Sequence, residues 1–481
     1  MTPSVERYQQ WSFWFLGLAT ILSVLFAFKT EAYYLALLPF GLMVAFAAVT
    51  NFKLLYYILL ASLPVSIEFS FSSSLATDLP DEPLMVGLML VTIIYLVRNP
   101  QALPKGFFVH TLMLALLVHL FWIFTTAITS VQPVISLKVF LSKIWYIASF
   151  TVLTVIVIKT EEDLKRAFWC IFIPLTFGIL VVIVRHAMMG FSFEDINKPM
   201  WPFFRNHVNY AAIVTIFLPF IWLARQWYPK GTFKYRLLGF SILLYVVAIY
   251  LSYTRTCYIA LMLILPFVFV LKRKLLKPAL IAAVVLGTVV VSYLMHDNKY
   301  LDFAPDYNET IIHDEFGDHL SSTFEGKDVS SMERVYRWVA IMQMYEDRPV
   351  FGFGPGNFFP YYMKYTVSSF ETYVSDNPER STAHNYFLLL LAEQGIVGVL
   401  IFIGLTIIIF AYGDTVYHRM VNEADKRVVM ILLVVMAMIY MNLMLSDLLE
   451  SDKVGPFFFM ALGLLVAYDI RNNQLLKAKA E

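Results

Sequence analysis

The residues of this chain best suited to bind an anion or move a proton are Arg205, Arg255, Arg334, Arg337 and His384. Arg255 lies in a short polar turn, Ser252-Tyr-Thr-Arg-Thr256, between two apolar runs. Arg205 falls in Phe203-Phe-Arg-Asn-His-Val-Asn209, just ahead of another such run. Arg334 and Arg337 belong to Met332–Met344, where Val335, Trp338, Val339 and Met342 recur at the three-and-four spacing of an amphipathic helix. His384 and Asn385 open a long apolar helix carrying Glu393, Gly395 and Gly398, where aligned backbone N–H groups favour an anion. Planar guanidinium forks match phosphate oxygens and stay charged at any relevant pH. Imidazole is the natural acceptor for a hydroxyl proton near neutrality. The set reads as a diphosphate site beside a base.

Each residue also has a plainer reading. Arg255 can snorkel to a membrane interface, and Arg334 or Arg337 can be a solvated charge on an exposed helix face. His384 can be a helix-start residue bonded to backbone. The run Asp347-Arg-Pro-Val-Phe-Gly-Phe-Gly-Pro-Gly-Asn-Phe358 is a glycine-rich turn that shapes the loop, since no strand or βαβ unit surrounds it. His313-Asp-Glu315 and Asp318-His319 suit a metal no better than they suit a solvated acidic loop.

What must position these groups is a membrane bundle. The chain is 59% hydrophobic and 15% charged, and its mean hydropathy is +0.69. A water-facing shell of that composition cannot be assembled. The formal net charge of +1 gives no sign of the basic surface a nucleic-acid binder needs. Cys170 and Cys257, the 2 cysteines, fall in or beside apolar runs and make no disulfide framework. About fourteen apolar segments approach the ~20 residues of a spanning helix, two of them short enough to leave about 12. They begin near 11–28, 33–50 and 53–67, and end near 383–410, 427–447 and 454–470. The first run is read as a retained helix.

Roughly twenty Lys and Arg fall in one set of short connections and six in the other, which predicts both termini on the cytoplasmic side. The expected architecture is all-α: a bundle over 1–295, an outer, partly helical loop over 296–382, and C-terminal helices over 383–481. Acidic residues at 68–82, with Asp447, Glu450 and Asp452, fall on the same outer side as the loop.

The order of these features resembles the O-antigen ligase and polymerase family. The resemblance rests on Arg255, then Arg334 to Trp338, Pro349 to Phe358, His384-Asn385, and Glu393, Gly395 and Gly398, and it is specific over about 252–410. It implies a GT-C-like membrane glycosyltransferase of the bacterial inner membrane with a periplasmic site. The implied reaction is inverting transfer of a glycan from undecaprenyl diphosphate, in the ligases to lipid A–core. By position Arg255 and Arg334 match diphosphate-contacting arginines; Arg337 competes with Arg334, which the spacing to Trp338 favours, and Arg205, on the same side, is a candidate third contact. His384 matches the histidine that activates the acceptor hydroxyl, and Asn385, Glu393 and Trp338 are supporting residues. The resemblance implies no nucleotide sugar, cofactor or metal. Polymerisation of lipid-linked glycan and protein O-glycosylation use the same chemistry with other acceptors. A lipid-linked glycan transporter is the rival from another class.

Overall fold

Polar residues between the apolar runs set where each helix starts. Asn206, Thr232, Asn385 and Asn422 each accept a hydrogen bond from a backbone N–H two or three residues on. Thr160 and Asp163 cap each other's backbone in a reciprocal box. The computed structural model describes residues 51–72, 75–303, 329–366 and 382–480, with a few helical positions between 14 and 29. Most of the expected span 11–28, all of 33–50 and the His313–His319 stretch lie outside the described residues.

The described chain runs as helices at 51–62 (α1), Asp81–Arg98 (α2), Thr111–Ile128 (α3), Pro133–Val157 (α4) and Glu161–Met188 (α5). His207–Arg225 (α6), Phe233–Tyr250 (α7), Arg255–Lys272 (α8) and Leu276–Met295 (α9) follow. The last four are Val329–Asp347 (α10), Tyr386–Arg419 (α11), Glu423–Leu443 (α12) and Gly455–Ala480 (α13). Among the described residues, 9 helices are long and apolar enough to cross a membrane. The chain is an all-α, multi-pass membrane bundle, as read from the sequence.

One small exception was not anticipated. Ile67–Ser72 (β1) and Leu75–Leu79 (β2) pair antiparallel at the end of the bundle that carries the 296–382 segment. The signal was there: Ile67, Phe69 and Phe71 alternate with Glu68, Ser70 and Ser72. The hairpin leads into α2, where Asp81 is fully buried, so the acidic stretch 68–82 is not simply a solvated connection.

α3 packs along α11, α6 along α7, and α12 against α6, α8 and α13. α10 lies across the head of α11 and brings the loop back onto the bundle. α11 is 34 residues, about 51 Å at the α-helical rise, well beyond the ~30 Å of a bilayer core. It breaks at Gly395, and the part after the break, about 36 Å, is long enough to span alone.

Candidate active site at the loop end of the bundle

At Gly395 (φ 68°, ψ −174°) α11 turns out of helical geometry and its hydrogen-bond ladder opens. The glycine-rich turn 349–356 fills the opening. Phe353 N–H donates to the Ala392 carbonyl at 2.9 Å, Gly354 N–H to that of Glu393 at 2.8 Å, and Ile396 N–H to that of Pro349 at 2.9 Å. Trp122 Nε1 donates to the Gln394 carbonyl at 3.0 Å. Backbone groups freed by the break are thus bonded inside protein, the condition for irregular backbone at membrane depth. Gly352 approaches so closely that a Cβ there would meet the Gln394 nitrogen at 2.6 Å, and its φ is +65°. The glycines serve this docking, in line with their reading as loop-shaping residues. Glu393 accepts from Phe358 N–H at 3.1 Å and so holds the turn from the other side.

α10 clamps the strand that leads into α11. Trp338 Nε1 donates to the Ala383 carbonyl at 2.9 Å, and Arg337 Nη1 to that of Thr382 at 3.3 Å. Arg337 is buried and also pairs with Glu333 at 3.8 Å. Asn385 caps α11 through Leu388 N–H at 3.0 Å and donates to the Met444 carbonyl at 3.0 Å. Trp338, Arg337 and Asn385 therefore fix the residue between them. That residue is His384, which adopts φ 51°, a left-handed conformation rare outside glycine. It makes no hydrogen bond to the described residues. Burial, then the Arg337 and Arg334 guanidiniums, push its imidazole down to about 3, so it is neutral at pH 7.

Arg334 lies within electrostatic reach of both His384 and His207. His207, at the head of α6, was quoted in the sequence but not singled out. Its signal was its place two residues after Arg205, and it is held by Asn197 at 2.8 Å. Arg205 acts on Asp447, whose carboxyl burial pushes up and which accepts from Thr382, two residues before His384. Arg255 heads α8, which packs on α12; Cys257 Sγ lies 3.8 Å from Asn442, and Met444 just beyond takes the bond from Asn385. Arg334, Arg337, Trp338 and Asn385 thus surround His384 directly. Arg205 joins through Asp447, and Arg255 stands one helix away at the same end.

Residues 240–403 match the family model described as O-antigen ligase. Over about a third of its length, then, the chain is similar to the O-antigen ligase family. The matched region contains Arg255, α10, the docked turn, His384 and the break at Gly395; Arg205 and His207 precede it. The match supports, in general terms, an O-antigen ligase or polymerase type of function for a multi-pass membrane protein. No curated protein matches the chain.

Beside the 382–386 segment the bundle encloses a cavity of about 920 Å³. It runs from Arg205, Thr382 and Asp447 at the loop end down to Lys143. Glu393 lines it, and Phe358 and Tyr386 form part of its wall. Among the described residues no group of three or more His, Cys, Asp or Glu side chains is arranged to hold a metal.

Proposed function

We propose that the protein transfers a glycan from undecaprenyl diphosphate to a lipid A–core sugar, with inversion, at the periplasmic face of a bacterial inner membrane. The observation that carries this reading is His384: neutral, left-handed, beside Arg334 and Arg337, and inside the family-matched region. The acceptor hydroxyl oxygen attacks the anomeric carbon while His384 takes the hydroxyl proton. The bond from anomeric carbon to phosphate oxygen breaks, and its electron pair leaves with the lipid diphosphate. Arg334, Arg255 and Arg205 stabilise that departing charge. Arg337 is committed to Thr382 and Glu333, so it positions the loop rather than the diphosphate. Ile135 and Val139 in the cavity wall, and the exposed Trp201, offer apolar surface to the polyprenyl tail. Basic residues crowd the opposite end of the bundle, which supports cytoplasmic termini and a periplasmic loop. A carrier also uses broken helices, but leaves the freed backbone for its cargo; here the glycine turn and Trp122 occupy it.

The test is transfer by purified protein from a polyprenyl-diphosphate glycan, with lipid A–core, a second lipid-linked glycan and a protein offered in parallel. Label is expected on lipid A–core; label only on either other acceptor would make this a polymerase or a protein glycosyltransferase. In the same assay Arg334→Ala should lower kcat/KM by about 10²–10³-fold, the scale of a lost charge-stabilising donor. Arg337→Ala should instead expose the loop to protease, because it removes a charged hydrogen bond of about 1.5–3 kcal/mol.

The pH profile gives a second check. A base must be neutral to act, so activity falls as pH drops through its pKa. With His384 held near 3 in the free protein, kcat/KM should be flat from about pH 5 to 8 and lack a limb at the ordinary ~6.5. Bound diphosphate offsets the two guanidiniums, so the acid limb of kcat should lie higher than that of kcat/KM. A kcat/KM limb at 6.5 that disappears in His384→Asn would contradict the shift.

A further inference from the structure

The cavity beneath His384 is charged with the opposite sign to the arginine rim. Lys138, Lys143, Arg205 and Lys453 line it against seven Asp and Glu residues. Most of the cations are already committed. Lys143 pairs with Glu450 at 2.5 Å, and Lys453 pairs with Asp452 at 2.8 Å and donates to the Leu63 carbonyl at 2.9 Å. Arg205 acts on Asp447. What remains is Lys138 against four acids, Glu393, Glu68 and Asp78 of the hairpin, and Glu82 at the start of α2, so the wall carries an excess of carboxyl groups. Asp78 is pushed up to about 7, by burial and then by Asp452, as expected where carboxylates crowd.

Two further features point to a ligand. Trp145, Phe358 and Tyr386 supply ring surface in the wall. Gln394 Oε1 and Asn209 Oδ1, on side chains nine-tenths buried in that wall, have no hydrogen-bond partner, nor has Trp145 Nε1. Ring faces, carboxylates and unmatched amide and indole groups are what a hydroxyl-bearing pyranose takes up: its C–H face stacks while adjacent hydroxyls bridge to acids. A phosphate or carboxylate on that ring would meet like charge in a confined space.

We propose that this cavity holds a sugar unit that is uncharged or amine-bearing, and rejects sugars carrying phosphate or carboxylate. The ligand's identity as a sugar rests on the glycan-transfer reading; the charge preference rests on the wall itself. The arginine rim and the acidic wall would then divide the substrate, the diphosphate at one and the uncharged ring at the other.

The test uses the full purified protein and three free trisaccharides of equal length: N-acetylglucosamine, glucosamine and glucuronic acid. Binding is read by quenching of tryptophan fluorescence. The first two should bind at least about tenfold more tightly than the uronate, a modest value for juxtaposed like charges. Glu68→Lys, at an exposed position on the hairpin, should narrow that ratio severalfold without unfolding the protein. Equal or tighter binding of the uronate, no binding of the neutral trisaccharide, or a ratio unmoved by Glu68→Lys overturns the proposal. A transfer arm assigns the source of the sugar. Donors with a neutral or uronate first sugar are paired with neutral or phosphorylated acceptors, and the side that discriminates is the one seated in the cavity. Should no pair give transfer while the binding preference holds, the transferase reading fails and the sugar site stands.

Discussion

His384→Ala leaves the protein folded and lowers glycan transfer by about 10²–10⁴-fold, the usual contribution of a positioned base. The side chain makes no hydrogen bond to the described residues, and the clamp around it is built by its neighbours. Trp338 holds Ala383, Arg337 holds Thr382, and Asn385 caps α11. Removing the imidazole therefore costs little stability, apart from placing Ala at φ 51°. His384→Asn answers that objection, because Asn tolerates the left-handed region far better than Ala does. Both variants should keep the thermal transition and protease pattern of the parent in detergent, and both should lose transfer. A fully active His384→Asn protein would remove the base from the mechanism and leave the arginines as its main catalytic groups.

Gly395→Ala should have the second largest effect, through structure rather than chemistry. The observed φ of 68° with ψ near 180° belongs almost only to glycine, and other residues there carry about 1–3 kcal/mol of strain. A Cβ at this position would also overlap the Val350 carbonyl and approach the Pro349 oxygen at 2.8 Å. The helix relieves both by straightening, which expels the glycine turn and breaks its three backbone bonds to residues 392–396. Residues 386–394 then rotate and carry His384 away from Arg334. We expect destabilisation of about 3–5 kcal/mol by strain and overpacking together. Protease cleavage within 345–366 should rise sharply and transfer should be almost abolished. Retained protection with retained activity would show that the break is not needed to set the site.

Much of this protein is written locally in its sequence. An apolar run of spanning length has one low-energy answer in lipid, a helix bonded within itself, so the bundle follows from composition and run length. Caps such as Asn206 and Asn385 act on N–H groups two or three residues away and are equally local. The order of Arg255, Arg334, the glycine turn and His384-Asn385 sufficed to suggest the family that residues 240–403 match. Other features were decided only by tertiary contact. In the sequence only the spacing to Trp338 favours Arg334 over Arg337; burial against Thr382 and Glu333 makes Arg337 a clamp. Gly395 reads as a residue within a continuous helix until Val350 and Pro349 pack against it. Asp78, Glu450 and Asp452 look like separate solvated acids, yet they line one cavity with Lys143. What each segment must be is legible locally, because backbone satisfaction in lipid depends on near neighbours. Which segments meet was left to the tertiary structure, because a side chain's burial and electrostatic surroundings come from residues hundreds of positions away.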